Sequence, residues 1–148
     1  MGTRTILFLC TGNYYRSRFA EMYFNHAAQE RGLAWRAISR GLATETNYLL
    51  PGVISPLTAN ALDVLGVDCP DEHRDAIQCT EADFASADMV IAVKQTEHRP
   101  LMQARFPRFV DRVRYWEVHD IHDAPADAAL AELRTHVDAL IDELARQG

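Results

Sequence analysis

Lysine is almost missing from this chain: Lys94 stands alone beside fourteen arginines among 148 residues. Arginine presents a planar fork of donors, so such a cation set suits fixed ion pairs and two-pronged contacts to anions. Cysteine is scarce too. Cys10, Cys69 and Cys79 are an odd, widely spaced set, which excludes a disulfide framework, and no paired Cys or Cys/His zinc spacing occurs. No run of about 18 apolar residues exists, so no membrane-spanning helix is expected. The apolar run at Ile6 to Leu9 is too short for the core of a secretion signal. The net charge of −6 argues against a nucleic-acid surface. Repeats, linkers and low-complexity segments are absent as well. What remains is the expectation of one soluble, cytoplasmic domain over residues 1–148, without membrane or nucleic-acid partners. Its 48% apolar residues suffice for a core without disulfides or metals.

What is present alternates in period along the chain. The continuous apolar run at 5–9 reads as a strand buried on both faces. After the polar stretch Cys10 to Ser17, residues Phe19, Ala20, Tyr23, Phe24 and Ala27 share one helical face, and Gly32 suits the helix end. Trp35 to Ile38 suggests a second strand, and 41–52 a loop. A helix over 56–65 has Ser55 as its cap, Pro56 in its first turn and Gly66 beyond its end. Thr80 and Asp83 resemble a capping pair opening a short helix. Further strands are expected at 87–93 and within 110–118, with helices from Thr96 to Arg105 and from Asp127 to Arg146. Strands alternating with helices predict an α/β fold: a single three-layer sandwich whose four-stranded parallel sheet carries helices on both faces. In such sheets ligands sit at the carboxyl ends of strands, where Cys10 and Asp120 both fall.

Cys10 and Arg16 are separated by Thr11, Gly12, Asn13, Tyr14 and Tyr15. An arc of that length can turn its backbone N–H groups inward to form a nest for an anion. Gly12 and Asn13 tolerate left-handed backbone, the helix beginning near Arg16 adds its positive end, and the guanidinium can grip two phosphate oxygens. The same donors favour a Cys10 thiolate, a nucleophile aimed at phosphorus. With fourteen arginines the spacing alone recurs by chance, and an inert core cysteine is the plain alternative; the strand–turn–helix setting tips the reading towards chemistry. A leaving group then needs a proton, and a later water needs a base. One carboxyl group can serve both steps, and Asp120 and Asp123 are equally placed candidates, or else plain loop and helix-cap residues.

The stretch ILFLCTGNYYRSRFAE resembles the opening of the low-molecular-weight protein tyrosine phosphatases, an apolar strand followed by C-x-G-N-x-C-R-S-P-x-A-E. The resemblance continues through Ser39-Arg40-Gly41, Gly66-Val67-Asp68, His73-Arg74, the strand from Ala87, and Trp116 to Asp120. It implies metal-free, cofactor-free hydrolysis of a phosphotyrosine protein or a small aryl phosphate. Cys10 would be nucleophile, Arg16 phosphate ligand and Asp120 general acid, the last by its spacing from Trp116. Residues 11–15 and Ser17 would bind phosphate, while Asn13, Ser17, Ser39 and His73 would form the hydrogen-bond network supporting the loop. Tyr14 and Tyr48 are candidate aromatic walls.

Three departures stand out. Tyr15 replaces a second cysteine that can protect the nucleophile, Arg18 replaces a proline and adds charge near the loop's exit, and Ile121 replaces the proline after the acid. The rival readings are an arsenate reductase, a phosphate or phosphoprotein sensor without catalysis, and a metal site at His119 and His122. The reductase relay needs further cysteines, one in the loop and a pair after the third strand, whereas Cys69 and Cys79 precede that strand.

Overall fold

The structure is a computed structural model and describes residues 2–50, 54–68, 74–119 and 126–147. Cys69, His73, Asp120, Ile121, His122 and Asp123 lie outside the described residues. Four strands, β1 (Arg4–Cys10), β2 (Trp35–Gly41), β3 (Met89–Ala92) and β4 (Arg114–Tyr115), form one parallel sheet in the order β2-β1-β3-β4. The helices are α1 (Arg16–Glu30), α2 (Pro56–Val64), α3 (Glu81–Ser86), α4 (Gln95–Arg105) and α5 (Ala126–Gln147). This is the expected α/β architecture.

Strand geometry explains the two cores. Successive side chains of β1 point to opposite faces. Ile6, Phe8 and Cys10 join the cluster under α1, α2 and α5, while Leu7 and Leu9 join the cluster with Phe84 of α3 and Met102 of α4. Because both faces are covered, β1 reads as an unbroken apolar run. Each of these fully buried Ile, Leu and Phe side chains contributes about 1.5–3 kcal/mol.

The local signals act as expected. Ser55 accepts a hydrogen bond from the Leu57 N–H at 3.2 Å, and Thr80 and Asp83 form a reciprocal capping box. Gly32 and Gly66 end their helices at φ +66° and +72°, where a side chain would be strained. One expectation is corrected and one narrowed. The 41–52 loop contains a 3-10 helix, Thr44–Leu49. The last strand, placed within 110–118, is the two residues Arg114–Tyr115, and Pro107–Phe109 form another 3-10 turn before it. Phe109 and Val110 pack on the α3–α4 core instead of along the sheet, and the Tyr115 hydroxyl donates to the Val110 carbonyl at 2.8 Å.

The chain runs outward from β1 to β2, then crosses back to place β3 on the other side of β1. That reversal opens a crevice at the carboxyl ends of β1 and β3. The loop after Cys10 and the start of α4 both enter it. A larger groove of about 560 Å³ lies among α1, α2 and α5, lined by Leu57, Val64 and Leu130. It is mostly apolar and holds no nucleophile.

Candidate active site

The loop from Cys10 to Arg16 is held by its carbonyl groups. The Leu42 and Ala43 N–H groups donate to the carbonyls of Cys10 and Thr11 at 2.9 and 2.8 Å. The Asn47 amide donates to Gly12 O at 2.6 Å. Ser55 N–H reaches Tyr14 O, and the Thr58 hydroxyl reaches Tyr15 O, both at 2.9 Å. A trans peptide points its N–H opposite its C=O. Turning these five carbonyls outward therefore turns the N–H groups of Thr11, Gly12, Asn13, Tyr15 and Arg16 inward, which is the nest an anion needs. Asn13 makes the bend at φ 52°. Gly41 permits it: a Cβ there would stand 2.9 Å from the backbone of Gly12 and Asn13.

At one end of the arc, Cys10 Sγ lies 2.9 Å from Ser17 Oγ and accepts the Asn13 N–H at 3.2 Å. The Asn13 side-chain amide joins Ser17 and Ser39, each at 2.9 Å. At the other end, Arg16 opens α1 and is buried, and its Nη2 donates to Glu97 Oε2 at 2.8 Å. Thr11 also donates its hydroxyl to that oxygen. The Lys94 N–H donates to His98 Nδ1 at 3.0 Å, so the ring proton sits on Nε2, 3.0 Å from Glu97. Burial works to raise the Glu97 carboxyl, but His98, Arg16 and Thr11 outweigh it and hold the group well below the usual carboxylate range. One oxygen of Glu97 thus ties both ends of the loop to α4.

The structure brings together Cys10, residues 11–15, Arg16, Ser17 and Ser39. Tyr14 lines the pocket of about 290 Å³ above the loop, as expected, but Tyr48 does not. It stands 83% exposed, because the 3-10 helix turns it outward while Asn47 and Leu50 face the pocket. Arg18, the charge added near the loop's exit, is fully buried, and its Nη1 donates to the Arg74 carbonyl at 3.3 Å. His73 and Asp120 are outside the described residues. Of the suggested metal pair, only His119 is described, and its ring faces Glu132 at 3.4 Å.

Sequence reasoning missed Glu97, Asn47, Glu21 and Arg74. Glu97 looks like any acid in a helix's first turn. The one available signal was for Arg74, adjacent to the residue expected to support the loop. Its Nη1 donates to Asn13 Oδ1 at 3.0 Å, and its Nη2 to Ser39 Oγ and Glu21 Oε1 at 3.0 and 3.2 Å.

Fold and site together define an α/β protein with an anion cradle, flanked by a thiol and a guanidinium, at the switch point of its sheet. The family described as low molecular weight phosphotyrosine protein phosphatase matches residues 5–147, and the chain belongs to it, a family of cysteine-based phosphatases. The chain is 30% identical over 109 residues to a protein-arginine-phosphatase of Bacillus subtilis (strain 168), covering 73% of this chain and 67% of that one. It is 28% identical over 149 residues to an arsenate reductase of Brevibacillus brevis, covering 98% and 96%. A low molecular weight protein tyrosine phosphatase from T. tengcongensis shares the fold, with a TM-score of 0.76 at 24% identity over 99% of this chain and 100% of that one. No helix among the described residues is long and apolar enough to cross a membrane.

Proposed function

We propose that this protein hydrolyses phosphomonoesters through a Cys10-phosphate intermediate, with an aryl phosphate such as phosphotyrosine in a cytoplasmic protein as substrate. The observation that carries the reading is the convergence of the Asn13 N–H and the Ser17 hydroxyl on Cys10 Sγ, within an arc that ends at Arg16. The inward N–H groups and Arg16 hold three phosphoryl oxygens. The Cys10 thiolate attacks phosphorus, the P–O bond to the leaving group breaks, and that oxygen takes a proton from Asp120. The Asp120 carboxylate then removes a proton from water, which attacks phosphorus, expels the thiolate and releases inorganic phosphate. The acid's assignment rests on the family resemblance and its spacing from Trp116. Tyr14 and Leu50 give the pocket the apolar wall an aryl group prefers.

The test is hydrolysis of p-nitrophenyl phosphate in EDTA by the parent, Cys10→Ser and Asp120→Asn. Turnover without metal, abolished with Cys10 and reduced on the order of 10²-fold with Asp120, supports the reading. A larger loss in Asp123→Asn than in Asp120→Asn would reassign the acid. Tight phosphopeptide binding by a folded, inactive parent would make the protein a sensor. Because one relative is named a protein-arginine-phosphatase, phosphotyrosine and phosphoarginine peptides are compared side by side; faster release from phosphoarginine would overturn the aryl assignment.

Arsenate reduction is the second reading, favoured by the relative named for it. Cys79 weighs against it. The thiol is buried, and burial together with the Asp83 charge pushes it up to about 12. Such a thiol is a poor relay nucleophile. Arsenate reduction with thioredoxin present decides between the two.

A further inference from the structure

The hydrogen bonds behind Cys10 can be assigned one proton at a time. Ile77 N–H and Arg74 Nη1 both end on Asn13 Oδ1, each at 3.0 Å, and neither group can accept. That atom is therefore the amide oxygen, and Nδ2 must face Ser17 and Ser39. Ser39 Oγ accepts from Asn13 Nδ2 and from Arg74 Nη2, so its own proton goes to Glu21 Oε1 at 2.7 Å. Ser17 Oγ accepts from Asn13 Nδ2, and its proton is left for Cys10 Sγ. Every bond runs one way.

We propose that Arg74 is the positioning residue that fixes the direction of this relay and so keeps the Cys10 sulfur at its accepting end. The Ile77 N–H and Arg74 are both donors with no choice, and of the two it is Arg74 that also reaches Ser39 and Glu21. A guanidinium has five N–H donors and no acceptor, and it does not lose its proton in proteins. Its two terminal nitrogens meet the loop (Asn13), β2 (Ser39) and α1 (Glu21), three segments that must be in register for the arc to hold. Its backbone is fixed by the buried Arg18 and by its own Nη1 on the Asp75 carbonyl at 2.8 Å. Glu21 on α1 is the one carboxylate among its described side-chain partners, and Arg18 is the cation beside it. Arg74 therefore keeps its donors on Asn13 and Ser39 without gaining or losing a proton.

This inference rests on Cys10 being the nucleophile, but its test does not require turnover. The rate of Cys10 carboxymethylation by iodoacetate, read by site-resolved mass spectrometry, is followed against pH for the parent, Arg74→Gln, Arg74→Lys and Arg74→His, each shown to be folded by its melting transition. Arg74→Gln is expected to slow the reaction at neutral pH about tenfold, the size of one lost charge-assisted hydrogen bond. Its profile moves to higher pH, and kcat falls with KM little changed. Arg74→Lys keeps the charge without the fork and falls between. Arg74→His gains a dependence the parent lacks: its rate lags further as pH rises through the ordinary histidine value of about 6.5, where the imidazole gives up its charge. Coincident carboxymethylation profiles for parent and variants would overturn the proposal and leave Arg74 as a tie for the 74–80 segment. If Arg74→Gln fails to fold, the lysine and histidine variants carry the same comparison. A parent without phosphatase activity whose Cys10 still responds to Arg74 would sink the proposed reaction and keep this inference.

Discussion

The two ends of the phosphate loop are built on opposite electrostatic plans. At the Cys10 end, the described residues that touch the sulfur do so with neutral groups, the Asn13 N–H and the Ser17 hydroxyl. The charged pair, Arg74 with Glu21, is set back behind Asn13 and Ser39. At the Arg16 end, full charges meet directly, guanidinium against the Glu97 carboxylate at 2.8 Å. Asn13, Ser17 and Ser39 are fully buried behind the sulfur, whereas Glu97 borders the pocket and is 28% exposed. In the proposed reaction, a sulfur that turns negative gains from dipoles that cannot leave, whereas an arginine that releases product gains from a counter-charge that shares it. On that reading one end holds a state, and the other exchanges partners.

Exchanging each end separately gives the strongest check on that division. Cys10→Ser is expected to lose all turnover while binding inorganic phosphate about as well as the parent. Arg16→Lys is expected to lose on the order of 10²-fold in kcat and to weaken phosphate binding too. Calorimetric titration with phosphate reads the difference; unchanged affinity in Arg16→Lys would erase it. Glu97→Gln probes the shared charge. It keeps the shape, removes the counter-ion, and should lower kcat about tenfold by loosening Arg16. Tighter phosphate binding without loss of kcat would recast Glu97 as a competitor for Arg16 rather than its guide.

Oxidation tests the Cys10 end alone. Tyr15 and the buried Cys79 offer no rescuing thiol, so peroxide should carry Cys10 to the sulfinic state irreversibly. Recovery of a reversible Cys10 disulfide to Cys69 or Cys79 by mass spectrometry would contradict this. The smallest effect is thermal. A carboxyl held below its ordinary range contributes stability above that range and loses it as pH falls through the folded value. The melting difference between parent and Glu97→Gln should therefore be widest near neutrality and narrow on acidification below about pH 4. A gap that grows in acid would show the sign to be wrong.

What could be read from the sequence was what is contiguous. β1, the Cys10–Arg16 arc, the Ser55 cap and the Thr80–Asp83 box are each written within a few neighbouring residues, and each formed as expected. The supporting residues are not written that way. Thr11 and Glu97 are 86 residues apart, and Asn13 and Arg74 are 61 apart. No periodicity or spacing encodes such pairs; the sheet's crossovers create them. The same cause brought Arg74 against the loop and left Tyr48 facing solvent while Leu50 turned inward. β4 formed within its expected range but is short, since an apolar run at a sheet edge can be used for packing as readily as for pairing.

Gly41 gives the loop a mould. The end of β2 presses against the backbone of Gly12 and Asn13 so closely that one methyl group would displace both. The curvature of the cradle is therefore cast by the neighbouring strand as much as by the cradle's own letters. A single carbon added at residue 41, in a strand outside the Cys10–Arg16 arc, would spoil the casting.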